Sequence, residues 1–164
     1  MRADSPPVVE LISMPRDYFD RWQALSWQTY AQDCVRSGRW SAHDAAAKAQ
    51  ESAARLLPQG FNTPGHSFYL IQVQGHGEPS GSIWVYVSPD PEGNLAAFIH
   101  NIEINQDERG KGIGRAALAA LDQRMRAISV KSIGLHVFGH NYVARRLYET
   151  AGYEVTNLNM RKYL

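Results

Sequence analysis

Between residues 96 and 115 an apolar run gives way to closely spaced glycines and then to a helix-like stretch, and few folds accommodate that order. The run Ala96-Ala97-Phe98-Ile99-His100-Asn101-Ile102-Glu103-Ile104 reads as a strand. Arg109-Gly110-Lys111-Gly112-Ile113-Gly114-Arg115 follows, and a helix is expected over Arg115–Ile128. Alternate glycines permit backbone conformations and close approaches that a Cβ would block. The first N–H groups of a helix have no partners of their own, and the helix dipole favours negative charge there. A strand, a glycine-rich turn and a helix start therefore make a phosphate-sized anion site, with Arg109, Lys111 and Arg115 adding positive charge. The segment reads as a loop that holds a pyrophosphate.

By itself the loop leaves a purely structural turn open. It lacks the lysine-then-hydroxyl ending of a nucleotide P-loop, because Ile113 and Gly114 stand there. It also comes two-thirds along the chain, after strands that read as antiparallel, which suits a dinucleotide fingerprint poorly.

The rest of the chain bounds the setting. Its 164 residues are expected to form one domain over 1–164 with a real core, the first seven residues being flexible. A hydrophobic content of 44% and four tryptophans argue against disorder. The formal charge of +1 gives no global field for nucleic acid or an anionic membrane. The single cysteine, Cys34, excludes an internal disulfide, fits a reducing compartment and reads as an ordinary thiol in the fold. No signal-like segment opens the chain, and no stretch reaches the roughly 20 apolar residues of a membrane helix. A soluble, cytoplasmic protein is expected.

Periodicity then orders the elements. A strand is expected over Val8–Ile12 and a helix from Asp17 to about Val35, with Tyr18, Trp22 and Leu25 at helical spacing. Ser41, with Asp44 three residues on, caps a helix over Ala45–Leu57. The loop Phe61-Asn62-Thr63-Pro64-Gly65-His66 reads either as a lid on an acceptor site or as a plain connection. Strands over Ser67–Val73 and Gly81–Val87 flank a turn, and Leu95–Ile104 is the third of that set. After the glycine-loop helix come a strand over Ile133–Phe138, a helix over Tyr142–Ala151, and two strands, Tyr153–Val155 and Leu158–Tyr163. The expected fold is mixed α/β: a largely antiparallel sheet of six to seven strands, about four helices, and one local strand–helix–strand unit. Trp22, Trp27, Trp40 and Trp84 read mainly as core, with the lining of an acceptor pocket as the alternative. His43, His66 and His76 lack partners at metal-ligand spacing, so no metal is expected.

A second segment adds chemistry. Asn141 stands where a strand ends and a helix begins, so its amide meets either the helix terminus or a ligand. Tyr148 follows seven residues later, two turns or about 10 Å up the same face. The small residues Ala144 and Ala151 share that face.

Together, Arg109-x-x-Gly112-x-Gly114 and Asn141-x-x-Ala144-x-x-Leu147-Tyr148-x-x-x-Gly152-Tyr153 resemble the GNAT superfamily of acyl-CoA-dependent N-acyltransferases, closest to its uncharacterised bacterial members. The resemblance runs from about Phe98 to the C-terminus. It implies acetyl-CoA as co-substrate, with no metal, and an amine-bearing acceptor. Backbone groups across Ile102-Glu103-Ile104 would pair with the pantetheine arm like an added strand. The amides from Arg109 through Gly110, Lys111, Gly112, Ile113 and Gly114 to Arg115 would hold the pyrophosphate. Asn141 and Ala144 would face the pantetheine, and Tyr148 would lie beside the sulfur as general acid. For the base, the resemblance points to His136, to His100 on the central strand, or to Glu103; a water relay or no dedicated base stays open. Strand alternation places His100 with Phe98 and Ile102, and Glu103 on the other face. A homodimer through the C-terminal segment Leu158–Leu164 is a further expectation, as is a non-catalytic acyl-CoA sensor on the same fold.

Overall fold

Alternation along the strands gives one sheet two apolar faces, and helices cover both. The computed structural model describes residues 6–164. Of the start expected to be flexible, residues 1–5 lie outside the described residues, and Pro6-Pro7 carry no regular structure. Five strands, β1 (Val9–Ser13), β2 (His66–Val73), β3 (Gly81–Pro89), β4 (Leu95–Ile104) and β5 (Ser132–Leu135), pair in chain order. The first four are antiparallel neighbours, and β5 joins β4 in parallel. Four helices accompany them: α1 (Arg16–Arg36), α2 (Ala45–Leu56), α3 (Ile113–Ala127) and α4 (Tyr142–Thr150). A parallel neighbour requires a crossover, and α3 supplies it.

On one face Ile71, Ile83, Val85, Ala97 and Ile99 pack against Ile113, Ala117, Leu118, Leu121 and Met125 of α3. On the other, Phe68, Leu70 and Trp84 meet Phe19 and Trp22 of α1. Phe19 and Phe68 meet edge-on with ring centroids 4.6 Å apart. Burying such a side chain fully contributes about 1.5–3 kcal/mol. The α1 stripe is rotated from the expected one: Phe19, Trp22 and Ser26 face the sheet, while Leu25 is 66% exposed. Phe19 wins the inward position over Tyr18 because Phe61, Phe68 and Trp22 enclose it.

Among the described residues the sheet has five strands, not six to seven. Tyr153–Val155 and Leu158–Tyr163 form none, for no strand lies beside them; Val155 is 56% and Leu158 73% exposed. Alternating apolar residues make a strand only with a ladder partner. β5 likewise stops at Leu135 instead of Phe138, where β4 ceases to pair with it.

A bulge interrupts the β3–β4 ladder. Val85 pairs with Ile99 but Trp84 pairs with Asn101, so His100 is an extra residue on β4. One extra residue reverses the alternation beyond it. Ile99 and Ile102 both pack on the α3 side, whereas His100 stacks on Trp84 at 4.4 Å on the α1 side. His100 therefore shares a face with Phe98 but not with Ile102. Glu103 lies opposite Ser82, which accepts a hydrogen bond from Trp22 Nε1 at 2.9 Å, so Glu103 is on the His100 face. Both corrections follow from the bulge.

The Phe61–His66 loop is an anchored connection rather than a lid. Val87 N donates to Gly65 O at 2.8 Å, and Thr63 Oγ1 accepts from Gln59 N at 3.1 Å and donates to Gly60 O at 2.8 Å. Cys34 is fully buried, and burial pushes its thiol pKa up. No helix among the described residues is long and apolar enough to cross a membrane.

Candidate active site

The β4–β5 ladder ends at the pair Ile99–Leu135, and β4 continues alone for five residues to Ile104. Asn105 N donates to Ser80 O at 2.9 Å, so in this antiparallel ladder the odd residues of this stretch turn their backbone groups toward β3. The backbone groups of Ile102 and Ile104 consequently point the other way, along the edge that β5 has left. One of them is in use: Arg109 Nε donates to Ile104 O at 2.9 Å. Glu103 has its backbone toward Ser82 and its side chain exposed.

The glycine loop borders this opening. Gly110 and Gly112 have φ of +77° and +80°, a region that side-chain-bearing residues rarely adopt. A Cβ on Gly110 would meet nothing within 4 Å, so the loop's outer side is open. No backbone hydrogen bond of good geometry satisfies the N–H groups from Gly110 to Arg115 among the described residues; Ala116, bonded to Gly112 O at 3.1 Å, is the first that has one. Open donors at the start of a 15-residue helix concentrate positive potential on this side of the loop. Gly114 has another reason to be glycine: its Cβ would stand 3.1 Å from Leu147 Cδ2, so α3 and α4 approach closely there. Lys111 Nζ pairs with Glu108 Oε1 at 3.3 Å, and Arg115 Nη2 donates to Thr150 Oγ1 of α4 at 3.1 Å.

Asn141 caps α4, its Oδ1 accepting from Ala144 N at 3.1 Å, which leaves its Nδ2 for other contacts. Tyr148 packs with Leu147 against the α3-side cluster, and burial pushes its phenol up to about 12. Its ring meets Tyr153 edge-on at 5.7 Å. The Tyr153 hydroxyl is buried without a partner among the described residues, and burial, with Asp122 and Tyr148 nearby, raises its pKa to about 12. A buried donor with no acceptor costs free energy. Tyr153→Phe is therefore expected to leave stability unchanged or raise it by up to about 1 kcal/mol in urea denaturation.

The histidines stay apart from Tyr148. His100 lies across the sheet, and burial followed by repulsion from His66 lowers its pKa to about 4. His136 is exposed beyond the end of β5, its pKa lowered by partial burial and by Arg39. His140 holds the β5–α4 loop to α1, with Nε2 3.3 Å from Asp33 Oδ1. That contact spans 107 residues and has no sequence signal. Between the ordinary value of 6.5 and about 4 the unfolded chain binds a proton that folded His100 refuses. Acidification through that window should therefore lose stability, about 1–2 kcal/mol after solvent screening at a half-buried site. His100→Gln should flatten the difference between urea midpoints at the two ends of the window.

Comparison with known proteins agrees with this geometry. Residues 16–153 match the acetyltransferase (GNAT) family. The uncharacterised N-acetyltransferase YdgE of Bacillus subtilis is 34% identical over 94% of this chain and 97% of its own length. The crystal structure of YycN, also of Bacillus subtilis, superimposes with a TM-score of 0.89 at 33% identity, covering 96% of this chain and 99% of that one. A mycothiol acetyltransferase of Propionibacterium freudenreichii is 30% identical over 70% of this chain and 36% of its own. The chain belongs to the acetyltransferase (GNAT) family and is an acetyltransferase.

Proposed function

We propose that this enzyme transfers the acetyl group of acetyl-CoA directly to a primary amine. The observation that carries this reading is the opening beyond Ile99–Leu135, with the outward backbone of Ile102 and Ile104 on one side and the free loop amides on another. A flexible, amide-bearing arm ending in a pyrophosphate suits both features. Acetyl-CoA supplies the reactive thioester when bound. The six amides from Gly110 to Arg115 hold the pyrophosphate, the β4 edge aligns the arm, and Asn141 Nδ2 and the small face at Ala144 border it.

Tyr148 is the proton donor to the departing thiolate. With its pKa near 12, the phenol keeps its proton at neutral pH and has it to give. Neither histidine is a strong base: His100, at about 4, is neutral but accepts a proton reluctantly, and His136 is shifted the same way. An amine with a pKa of about 10 arrives mostly protonated, so water beside the site carries its proton away. Much of the rate then comes from holding amine and thioester together. No group of three or more His, Cys, Asp or Glu that could hold a metal ion occurs among the described residues. The mycothiol acetyltransferase relative supports a small-molecule acceptor. A homodimer through Leu158–Leu164 belongs to the same proposal, supported by the exposure of Leu158 and Met160.

The test is incubation with acetyl-CoA and a panel of amines, reading free CoA thiol and the mass of the acetylated product. Amine-dependent CoA release with a product 42 Da heavier, about one acetyl group, supports the reading. Tight acetyl-CoA binding with no acetylated product from any amine would favour the sensor instead.

A further inference from the structure

On the α1 side of the sheet a row of rings goes unused by the donor site. His66 stacks on Tyr86 at 4.4 Å, His100 stacks on Trp84 at 4.4 Å, and Phe98 meets His100 edge-on at 5.0 Å. His66 and His100 themselves lie 5.6 Å apart, inclined by only 29°. Helix α1 crosses the sheet lower down, where Trp22 reaches Ser82 and Ser26 receives Asn101 Nδ2 at 2.8 Å. At the next level Tyr86 is half-buried beside Gly65, whereas Phe98 is 37% exposed in the middle of a strand. The bulge turns His100 into this row, and His100 is the first residue past the last β4–β5 pair. The row's inner end thus adjoins the opening proposed for the donor's arm.

Its chemistry is apolar and uncharged. Trp84 Nε1 donates to His66 Nδ1 at 2.9 Å, which requires that nitrogen to be unprotonated. Burial disfavours the charged form of both imidazoles. The carboxylate on this face of β4, Glu103, stands beyond Asn101 at the other end of the strand. A polyamine would need carboxylates along the row, and an anionic acceptor would need cations; the row supplies neither. Flat, neutral ring faces bind a flat ring by offset or edge-on stacking.

We propose that this row seats the acceptor, and that the acceptor carries its primary amine on an aromatic body. The assignment rests on the acetyl-transfer reading and adds Phe98, Tyr86 and His66 as specificity-determining residues.

The test follows the His66 and His100 imidazole signals by NMR of the intact protein saturated with CoA, during titration with 2-phenylethylamine and, separately, spermidine. Saturable shifts of both rings with 2-phenylethylamine alone are expected. Phe98→Ala and, independently, Tyr86→Leu should weaken that amine by about tenfold while leaving acetyl-CoA affinity within about twofold. Unmoved ring signals up to about 10 mM amine, or saturation by spermidine instead, would overturn the assignment. Loop-glycine amide signals in the same spectra report donor binding. If those fail to move with CoA, the donor reading falls, while the histidine signals still decide this one.

Discussion

Tyr148→Phe is expected to lower kcat by about 10²- to 10³-fold while acetyl-CoA affinity stays within about twofold. The substitution deletes one hydroxyl and keeps the ring that packs α4 against the α3-side cluster. The fold and the opening at β4 therefore survive, and the loss falls on the proton delivery proposed for Tyr148. A purely structural role would leave kcat unchanged and move the melting midpoint instead. Because the phenol's pKa is near 12, Tyr148 keeps its proton through the working range, so no alkaline fall in rate below about pH 10 should arise from it. Steady-state CoA release, calorimetric acetyl-CoA titration and thermal unfolding of the same preparation separate these effects.

Gly112→Asp is expected to cost at least about 100-fold in acetyl-CoA affinity, near 3 kcal/mol. Two effects combine. At φ of +80° a Cβ strains the backbone, although Pro7 Cδ, its nearest neighbour, would lie at an unforced 3.5 Å. A carboxylate would also stand among the amides proposed to face the pyrophosphate, and like charges at close range repel. Gly112→Asn separates the two, because asparagine tolerates left-handed backbone and carries no charge. Its loss should stay within about tenfold. Equal losses in both variants would make the loop a shape element rather than an anion site.

The part of this site that local chemistry governs is legible in the sequence. β4 spans Leu95–Ile104, as its apolar run predicts, and the glycines before α3 adopt the positive φ that their spacing suggests. Leu118, Leu121 and Met125 form the buried stripe of α3 because a single helical period sets it. The bulge at His100 was illegible, since one extra residue leaves no periodic trace and shows only in the pairing with Trp84 and Val85. It decides the faces of both His100 and Glu103. The C-terminal segments form no strands for the complementary reason: alternation at Val155, Leu158 and Met160 records apolar residues without saying whether a neighbour exists. Contacts such as Arg115–Thr150 and His140–Asp33 join residues 35 and 107 apart and emerge only from the fold. The orphaned Tyr153 hydroxyl belongs with them, being a property of its buried surroundings rather than of its type.

Isothermal titration of the unaltered protein with acetyl-CoA, run beside ATP, decides between a donor site and a purely structural loop. A donor site predicts one acetyl-CoA per chain with a micromolar Kd, about −8 kcal/mol, and ATP binding at least about 100-fold weaker, because ATP has phosphates for the loop but no arm for the β4 edge. Equal affinity for the two, or no acetyl-CoA binding by folded protein, would contradict it.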